Sequence, residues 1–292
     1  MIRRIGKIFA QVVCGFIHNK TLRRKVRWAL DPCSPPHLIN YFSKRYLPKV
    51  KLGDCFCDGE KSDYIFQCWL QGVENAPPLV KKCIASVEKF KGNRKHIVIT
   101  NENLNEWVRL PSFVWEKYKS GKIGNAHFAD IIRLYLLAEY GGYWIDATCF
   151  MTAEIPEVVD SEPLFMYHSS GRWDWTLVNN CFIHADKGNS LILAWRDIMI
   201  EYWKGENRAL EYFFCHLCFR TLLLNSLLKS GYDNMPFVLQ DDTHKLAGCF
   251  ALEMDDTEIE KILHSSFIHK LSYKLNVDFG NSQLVASKFM KL

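Results

Sequence analysis

Hydrophobic and polar residues follow two different rhythms along this chain, and the rhythm changes near Asp63. Before that point Ile5, Ile8, Phe9, Val12 and Phe16 recur at the spacing of one helical face. Arg3, Arg4 and Lys7 lie towards its start, and Lys20, Arg23, Arg24, Lys25 and Arg27 follow it. The pattern predicts a basic amphipathic helix. Its apolar stretch, 8–17, is about half of the ~20 residues that a membrane-spanning helix needs, and no small-residue cleavage site follows. The segment is expected to lie on a bilayer without crossing it, or else to dock on its own domain with a solvated charged face. Asp31-Pro32 and Pro35-Pro36 are expected to end it in a linker.

After Asp63, short apolar runs alternate with helical periods. Residues 64–69 (YIFQCW) and 96–100 (HIVIT) read as strands, with a proline-started helix at 78–90 between them. A short helix is expected around Trp115, then a long one over 125–140 that Gly141-Gly142 stops, then a strand at 143–146 (YWID). Further on, 176–184 reads as a strand, 190–203 as a helix capped by Ser190, and 210–228 as one more helix. This order predicts an α/β fold with a mostly parallel central sheet flanked by helices: 1–62 as a basic helical extension and linker, and 63–292 as the main domain. Ligands of such sheets sit beyond the carboxyl ends of the strands, where Asp146 falls.

Composition refines the picture. With 48% hydrophobic residues among 292, the chain can fill a large core, which excludes a disordered protein. The formal charge of +5 is local: the first thirty residues hold eight Lys or Arg and no acid, which leaves 29 cations against 32 anions elsewhere. Such a distribution argues against a nucleic-acid-binding face and for one anionic contact through residues 1–30, an anionic membrane surface. Eleven scattered cysteines suggest reduced, buried thiols in a cytosolic compartment. Cys55-x-Cys57 and Cys215-His216-x-Cys218 lack the second pair that a zinc site of this kind requires.

Two charges interrupt the otherwise apolar helix at 125–140. Asp130 and Arg133 lie about 60° apart on it, and buried ions must pair with each other or commit to a ligand. Sixteen residues after Asp130, Asp146 stands where all three could meet. Other polar groups in apolar surroundings have structural or functional readings: Asn179-Asn180, His269-Lys270, Asp241-Asp242 with His244, and Trp173 with Trp175 as a stacking surface.

At this point AHFADIIRLYLLAEYGGYWIDAT resembles the core motif of the capsular polysaccharide synthesis protein family, bacterial glycosyltransferases related to DXD-motif sugar transferases. FQCWLQGVENAPPLVKKCIASV and, more weakly, YWKGENRALEYFFCH and IHKLSYK extend the resemblance over roughly residues 63–275. The resemblance implies a GT-A type fold, a nucleotide-diphosphate sugar donor and retention of anomeric configuration. It implies that Asp130 and Arg133 hold donor-sugar hydroxyls, that Asp146 is the first Asp of DXD, and that Gln71 and Gly72 lie near the nucleobase or ribose. Gly142, Thr148, Asn179 and Lys270 complete the expected donor-binding set. Thr148 stands where the second DXD carboxylate would be and is a weaker ligand for a hard cation. A divalent cation, Mn or Mg, is therefore expected on Asp146 with His269, unless Arg or Lys replaces it. The acceptor would be a glycan or lipid-linked glycan of a capsule, O-antigen or other surface polysaccharide, built on the cytoplasmic face of the membrane. A catalytically silent carbohydrate-binding protein and a sugar-phosphate transferase are the alternatives.

Overall fold

The computed structural model describes residues 2–274 and 277–292, with side chains from Ile5 onward, so Arg3 and Arg4 of the expected basic flank lie outside the described side chains. Seven strands form two sheets: β1 Tyr64–Cys68, β2 Lys95–Ile99, β3 Gly142–Ile145, β4 Cys149–Met151, β5 Leu164–His168, β6 Val178–Ala185 and β7 Ile268–Lys270. The larger sheet has the order β2-β1-β3-β6-β5. β1 runs parallel to both β2 and β3, and β6 is antiparallel to β3 and β5, so β6 alone runs against the rest. The sheet is thus mostly parallel, as expected.

Strand alternation sorts side chains onto two faces. Phe66, Trp144 and Ile183 join a large core with the helices Pro35–Arg45, Asn125–Tyr140, Ser190–Gly205 and Phe214–Leu222. Ile65, Tyr143, Ile145 and Phe182 face a second core with Val87 of the helix Pro78–Phe90 and with Met151 of β4. The C-terminal helices Asp241–Cys249, Asp256–His264 and Val285–Lys291 form a third core against Leu79 and Cys83.

The long helix and β3 are joined by two glycines with no slack. Gly141 (φ 68°) ends the helix Asn125–Tyr140, its amide donating to the Leu137 carbonyl at 3.0 Å. Gly142 (φ 86°) starts β3, and a Cβ there would sit 2.2 Å from the Tyr64 carbonyl oxygen. Only glycine meets both demands. β3 then delivers Trp144 and Asp146 to the same face, that of the long helix.

Several boundaries differ from expectation. Pro35-Pro36 opens a helix, Pro35–Arg45, with proline in the first turn where a missing N–H costs nothing. Its Leu38 and Phe42, with Tyr46 just beyond, enter the main core, so the body begins well before residue 63. The expected helix at 210–228 is two helices, Phe214–Leu222 and Ser226–Asp233. The break is at Asn225, whose side chain accepts from the amides of Leu227 and Leu228. Asn189, rather than Ser190, caps the helix Ser190–Gly205. Asp241 and Asp242 lie in the first turn of a helix, where negative charge suits the dipole. β4, β5 and β7 carry no strong periodic signal because each is short or fully buried.

Gly142→Ala should destabilise the protein by at least about 2 kcal/mol, from left-handed backbone strain plus the clash with Tyr64. A thermal melt should show Tm lower by roughly 4 °C or more.

Candidate functional site

Asp130 and Arg133 reach the end of β3 from the long helix, while Lys270 arrives from β7. That strand pairs with β4 directly after Asp146, with the Leu271 amide donating to the Thr148 carbonyl at 2.9 Å. The four charged side chains form one chain of contacts. Arg133 Nη1 donates to Asp130 Oδ1, and its Nη2 donates to Asp146 Oδ1 at 3.0 Å. Trp144 Nε1 donates to the same Asp146 oxygen at 2.8 Å, and Lys270 Nζ donates to Asp146 Oδ2 at 2.9 Å and to the Thr148 hydroxyl. Asn180 Nδ2 donates to Asp130 Oδ1 at 3.2 Å, and the Arg133 guanidinium lies over the Trp144 ring, 4.7 Å from its centroid.

This chain lines a cleft of about 560 Å³ at the carboxyl ends of β1 and β3. Arg133 is almost closed off, with 5% of its side chain exposed, but Asp146 and Lys270 keep about a quarter of theirs open, 23% and 26%. Trp69, Trp173, Tyr212 and Tyr273 supply ring surface, and Asn179, Asn180 and Gln240 supply amides. Aromatic faces with convergent polar groups suit a polar ligand that carries a planar or ring portion.

The electrostatics are self-consistent. Burial disfavours charge on Asp146, but Lys270 and Arg133, with hydrogen bonds from Lys270 and Trp144, outweigh it and hold the carboxyl below its ordinary range. Burial likewise opposes charge on Lys270 and Arg133. Asp146 holds the ammonium above its usual range, and Asp130 and Asp146 do the same for the guanidinium. All three groups are therefore charged at neutral pH. Burial, then Arg133, pushes His216 down to about 3, so this cleft-lining imidazole is neutral. Burial raises the neighbouring Cys215 and Cys218 thiols well above their ordinary range, which makes them core groups rather than thiolate ligands.

Of the expected site residues, the structure brings together Asp130, Arg133, Asp146, Thr148, Asn179 and Lys270. Asn179 donates to Gln240 at 2.7 Å and accepts from the Cys181 amide. Four others are not in the cleft. Gln71 and Gly72 belong to the turn after β1, where the Gln71 carbonyl accepts from Asn75, and it is Trp69 at the strand end that lines the cleft. Gly142 begins β3, at the opposite end of the strand from Asp146, and is buried against Tyr64. His269 alternates away from Lys270, is fully buried and meets the Leu263 carbonyl at 3.1 Å.

The expected divalent cation does not fit this donor set. Both oxygens of Asp146 and the Thr148 hydroxyl are already taken by cationic or N–H donors, and His269 faces elsewhere. Among the described residues no group of three or more His, Cys, Asp or Glu side chains is placed to hold a metal. A dication inserted here would stand beside an ammonium and a guanidinium whose charges Asp130 and Asp146 already balance.

Trp144, Gln240 and Tyr273 are cleft residues that the sequence did not single out for this site, whereas Asn180 and His244, each open to a structural or a functional reading from the sequence, do line the cleft. Trp144 could have been found from strand alternation, since it shares the face of Asp146. Gln240 and Tyr273 carry no local signal.

Asp146→Asn should lower stability by about 3 kcal/mol at pH 7, at the low end for a broken buried ion pair because Asp130 still neutralises Arg133 while Lys270 loses its anion. A carboxylate whose folded pKa is depressed contributes stability above its ordinary value, and that contribution disappears as pH falls through the folded value. Urea melts should therefore show the gap between wild type and variant closing below about pH 4. A gap independent of pH would contradict the charge pairing.

The family model described as "Capsular polysaccharide synthesis protein" matches residues 38–289. An O-glycosyltransferase of Phomopsis amygdali is 26% identical over 190 residues, 60% of this chain and 44% of that protein. One from Annulohypoxylon truncatum is 27% identical over 158 residues, 48% of this chain and 38% of its own length. A glycosyltransferase of Aspergillus fumigatus is 25% identical over 166 residues, 48% and 40% of the two chains. The chain thus spans less than half the length of these curated relatives. Among solved structures, the PaToxG glycosyltransferase superposes with a TM-score of 0.41 at 14% identity, over 91% of this chain and 98% of that one. The match to the family model covers most of the sequence, from the Pro35–Arg45 helix to the final helix, and the chain belongs to the capsular polysaccharide synthesis protein family.

Proposed function

We propose that this protein is a glycosyltransferase that takes a sugar from a nucleotide-diphosphate donor bound in the cleft. The observation that carries the reading is the alternating run Asp130, Arg133, Asp146, Lys270 along the wall of a cleft large enough for such a ligand. Breaking a nucleotide-sugar bond develops negative charge on the leaving diphosphate and positive charge at the anomeric carbon. Fixed charges of both signs, held in place before the substrate arrives, suit that separation.

The roles follow from the contacts. Asp130, held by Arg133 and Asn180, faces the electron-poor sugar. Lys270 has three N–H bonds, of which Asp146 and Thr148 take two, and the third serves a phosphoryl oxygen. Lys274 adds a second cation on the same wall. The charge commonly supplied to such donors by a divalent ion is supplied here by Lys270. Asp146 acts by fixing Lys270 and Arg133 rather than by ligating metal. For a retaining course, the acceptor hydroxyl approaches on the leaving-group side and the diphosphate takes its proton, so no separate base is required.

The acceptor is proposed to be a surface polysaccharide or its lipid-linked precursor, in line with the family's description. Association with the inner face of a membrane is proposed through the helix Ile2–Gly15. Its residues Ile5, Ile8, Phe9 and Val12, with Phe16 just beyond it, are exposed on the face turned away from the body, which supports the bilayer reading. No helix among the described residues is long and apolar enough to cross a membrane.

A panel of nucleotide sugars should yield at least one donor that the protein hydrolyses or transfers, with equal rates in chelator and in manganese. Lys270→Ala should lower kcat/KM for that donor by about 100-fold, as expected when a charge that stabilises the leaving group is lost. Binding of donors without turnover would instead favour a carbohydrate-binding protein on the same fold. Turnover abolished by chelator and restored by manganese would overturn the role given to Lys270.

A further inference from the structure

The segment Gly171–Thr176 contributes to two cavities. Its Trp173 lines the cleft, whereas Arg172 and Trp175 line a second cavity of about 470 Å³. The neighbouring stretch divides in the same way, with Tyr212 and Phe213 on the cleft and Glu211 on the second cavity. These two short stretches are the wall that the cavities share.

The second cavity is strongly basic. Lys20, Arg23, Arg24 and Arg27 enter it from the helix Lys20–Leu30 and Arg172 from the wall, against the carboxylates of Asp31 and Glu211. Arg24 lies 3.4 Å from Asp174 just outside, Arg27 lies 3.9 Å from Asp31, and Glu211 meets Lys7 at 4.0 Å. Among the described residues these pairs leave Lys20, Arg23 and Arg172 unneutralised. Nothing in the proposed transfer chemistry uses them. Guanidinium groups beside the Trp28 and Trp175 rings form a recess suited to a phosphate, which accepts several charge-assisted hydrogen bonds at once.

The adjoining helix shows where such a phosphate comes from. The helix Ile2–Gly15 packs inward through small residues: Ala10 and Cys14 are buried, and a Cβ on Gly6 would lie 2.9 Å from the Pro32 ring. Ile5, Ile8, Phe9 and Val12 point out, from Ile8 at 53% exposed to Ile5 at 60%, while Val13 is half-buried; Phe16 just beyond the helix joins them at 82% and Leu22 of the next helix at 52%. A water-soluble helix buries its large apolar face and exposes the small one. Here the arrangement is reversed, next to a basic recess. A ligand that satisfies both surfaces carries hydrocarbon at one end and phosphate at the other.

We propose that this cavity binds the phosphate of a membrane lipid while the outward face of the first helix enters the acyl boundary. The lipid phosphate is thereby held on the far side of the wall formed by residues 172–175 and 211–213 from the transfer cleft. The consequence for the acceptor, that it is a lipid-borne glycan whose phosphate anchors here while its sugar reaches the cleft, rests on the transferase reading. The lipid site itself does not.

The test is co-flotation of the full chain with vesicles, without any donor. Phosphatidylcholine vesicles containing phosphatidic acid should bind more tightly than vesicles of equal charge made with phosphatidylserine, because only the former offers an exposed phosphomonoester. In the Lys20→Gln, Arg172→Gln double variant that preference should fall by about tenfold, the loss of one charge-assisted hydrogen bond or more. Phe9→Glu should weaken binding to both compositions. All three side chains are exposed, so folding is not at stake, and unchanged thermal melts will check this. Undiminished preference in the double variant would overturn the proposal. So would inorganic pyrophosphate in solution displacing the protein from vesicles as effectively as lipid, since the site would then serve a soluble anion. Because no donor is present, these outcomes stand apart from the success or failure of the turnover assay.

Discussion

A single carboxylate, Asp146, holds two cations from different parts of the chain in one place. Arg133 comes from the long helix and Lys270 from a short strand near the carboxyl end, 124 residues away in sequence. Each would be costly to leave in this setting without an anion. Asp146 makes their burial tolerable, and in return they keep it ionised against the pull of its surroundings. Asp130 extends the chain by one member, so charges alternate along the wall and no ion is left without an opposite neighbour. The cleft is thereby polarised before any ligand enters it.

That arrangement depends on backbone features that tolerate little change. Gly141 and Gly142 turn the chain from helix to strand within two residues, and the close approach of Tyr64 leaves no room for a side chain. β3 is only four residues long, so its end, and with it Asp146, is fixed by where it begins. The two-stranded pairing of β4 with β7 fixes Lys270 against Thr148. Rigid elements surround the charges, and the aromatic walls come from turns and loops, which is the usual division between scaffold and recognition surface.

The amino-terminal helices follow another logic. Elsewhere most large apolar residues are inside, in clusters filled by both faces of the sheet and its helices, with scattered exposed ones such as Leu224, Phe237 and Leu252. In the first helix the large residues are outside and the small ones inside. Burying Ile5, Ile8, Phe9, Val12 and Phe16 would stabilise the protein by roughly 1.5–3 kcal/mol per residue, and their exposure side by side is what the proposed membrane contact rests on. The basic recess lies directly beside them.

Much of the fold was legible in the sequence. The helix at 125–140 has the predicted bounds because its period, its glycine stop and the strand that follows all agree. The helix at 78–90 and the strands beginning at 64 and 95 needed only local pattern. Asp130, Arg133 and Asp146 could be named because ions in apolar text are conspicuous. Local pattern could not say what those ions pair with, since Lys270 meets Asp146 only through β7, a three-residue strand with no periodic signature. The same limit explains the misplacement of His269, whose side of the strand is set by register with β4, and of Gln71 and Gly72, which the chain turns away after Cys68. Residues 35–62 read as linker because prolines punctuate them, whereas tertiary packing made Pro35 the start of a core helix. The sequence by itself determined the helices at 78–90 and 125–140, the first three strands of the mostly parallel sheet and three members of the charge chain, because these rest on periodicity and on the cost of burying ions. The tertiary structure alone decided that Lys270 completes the site and that the first helix turns its apolar face outward, because both depend on contacts between segments far apart in the chain.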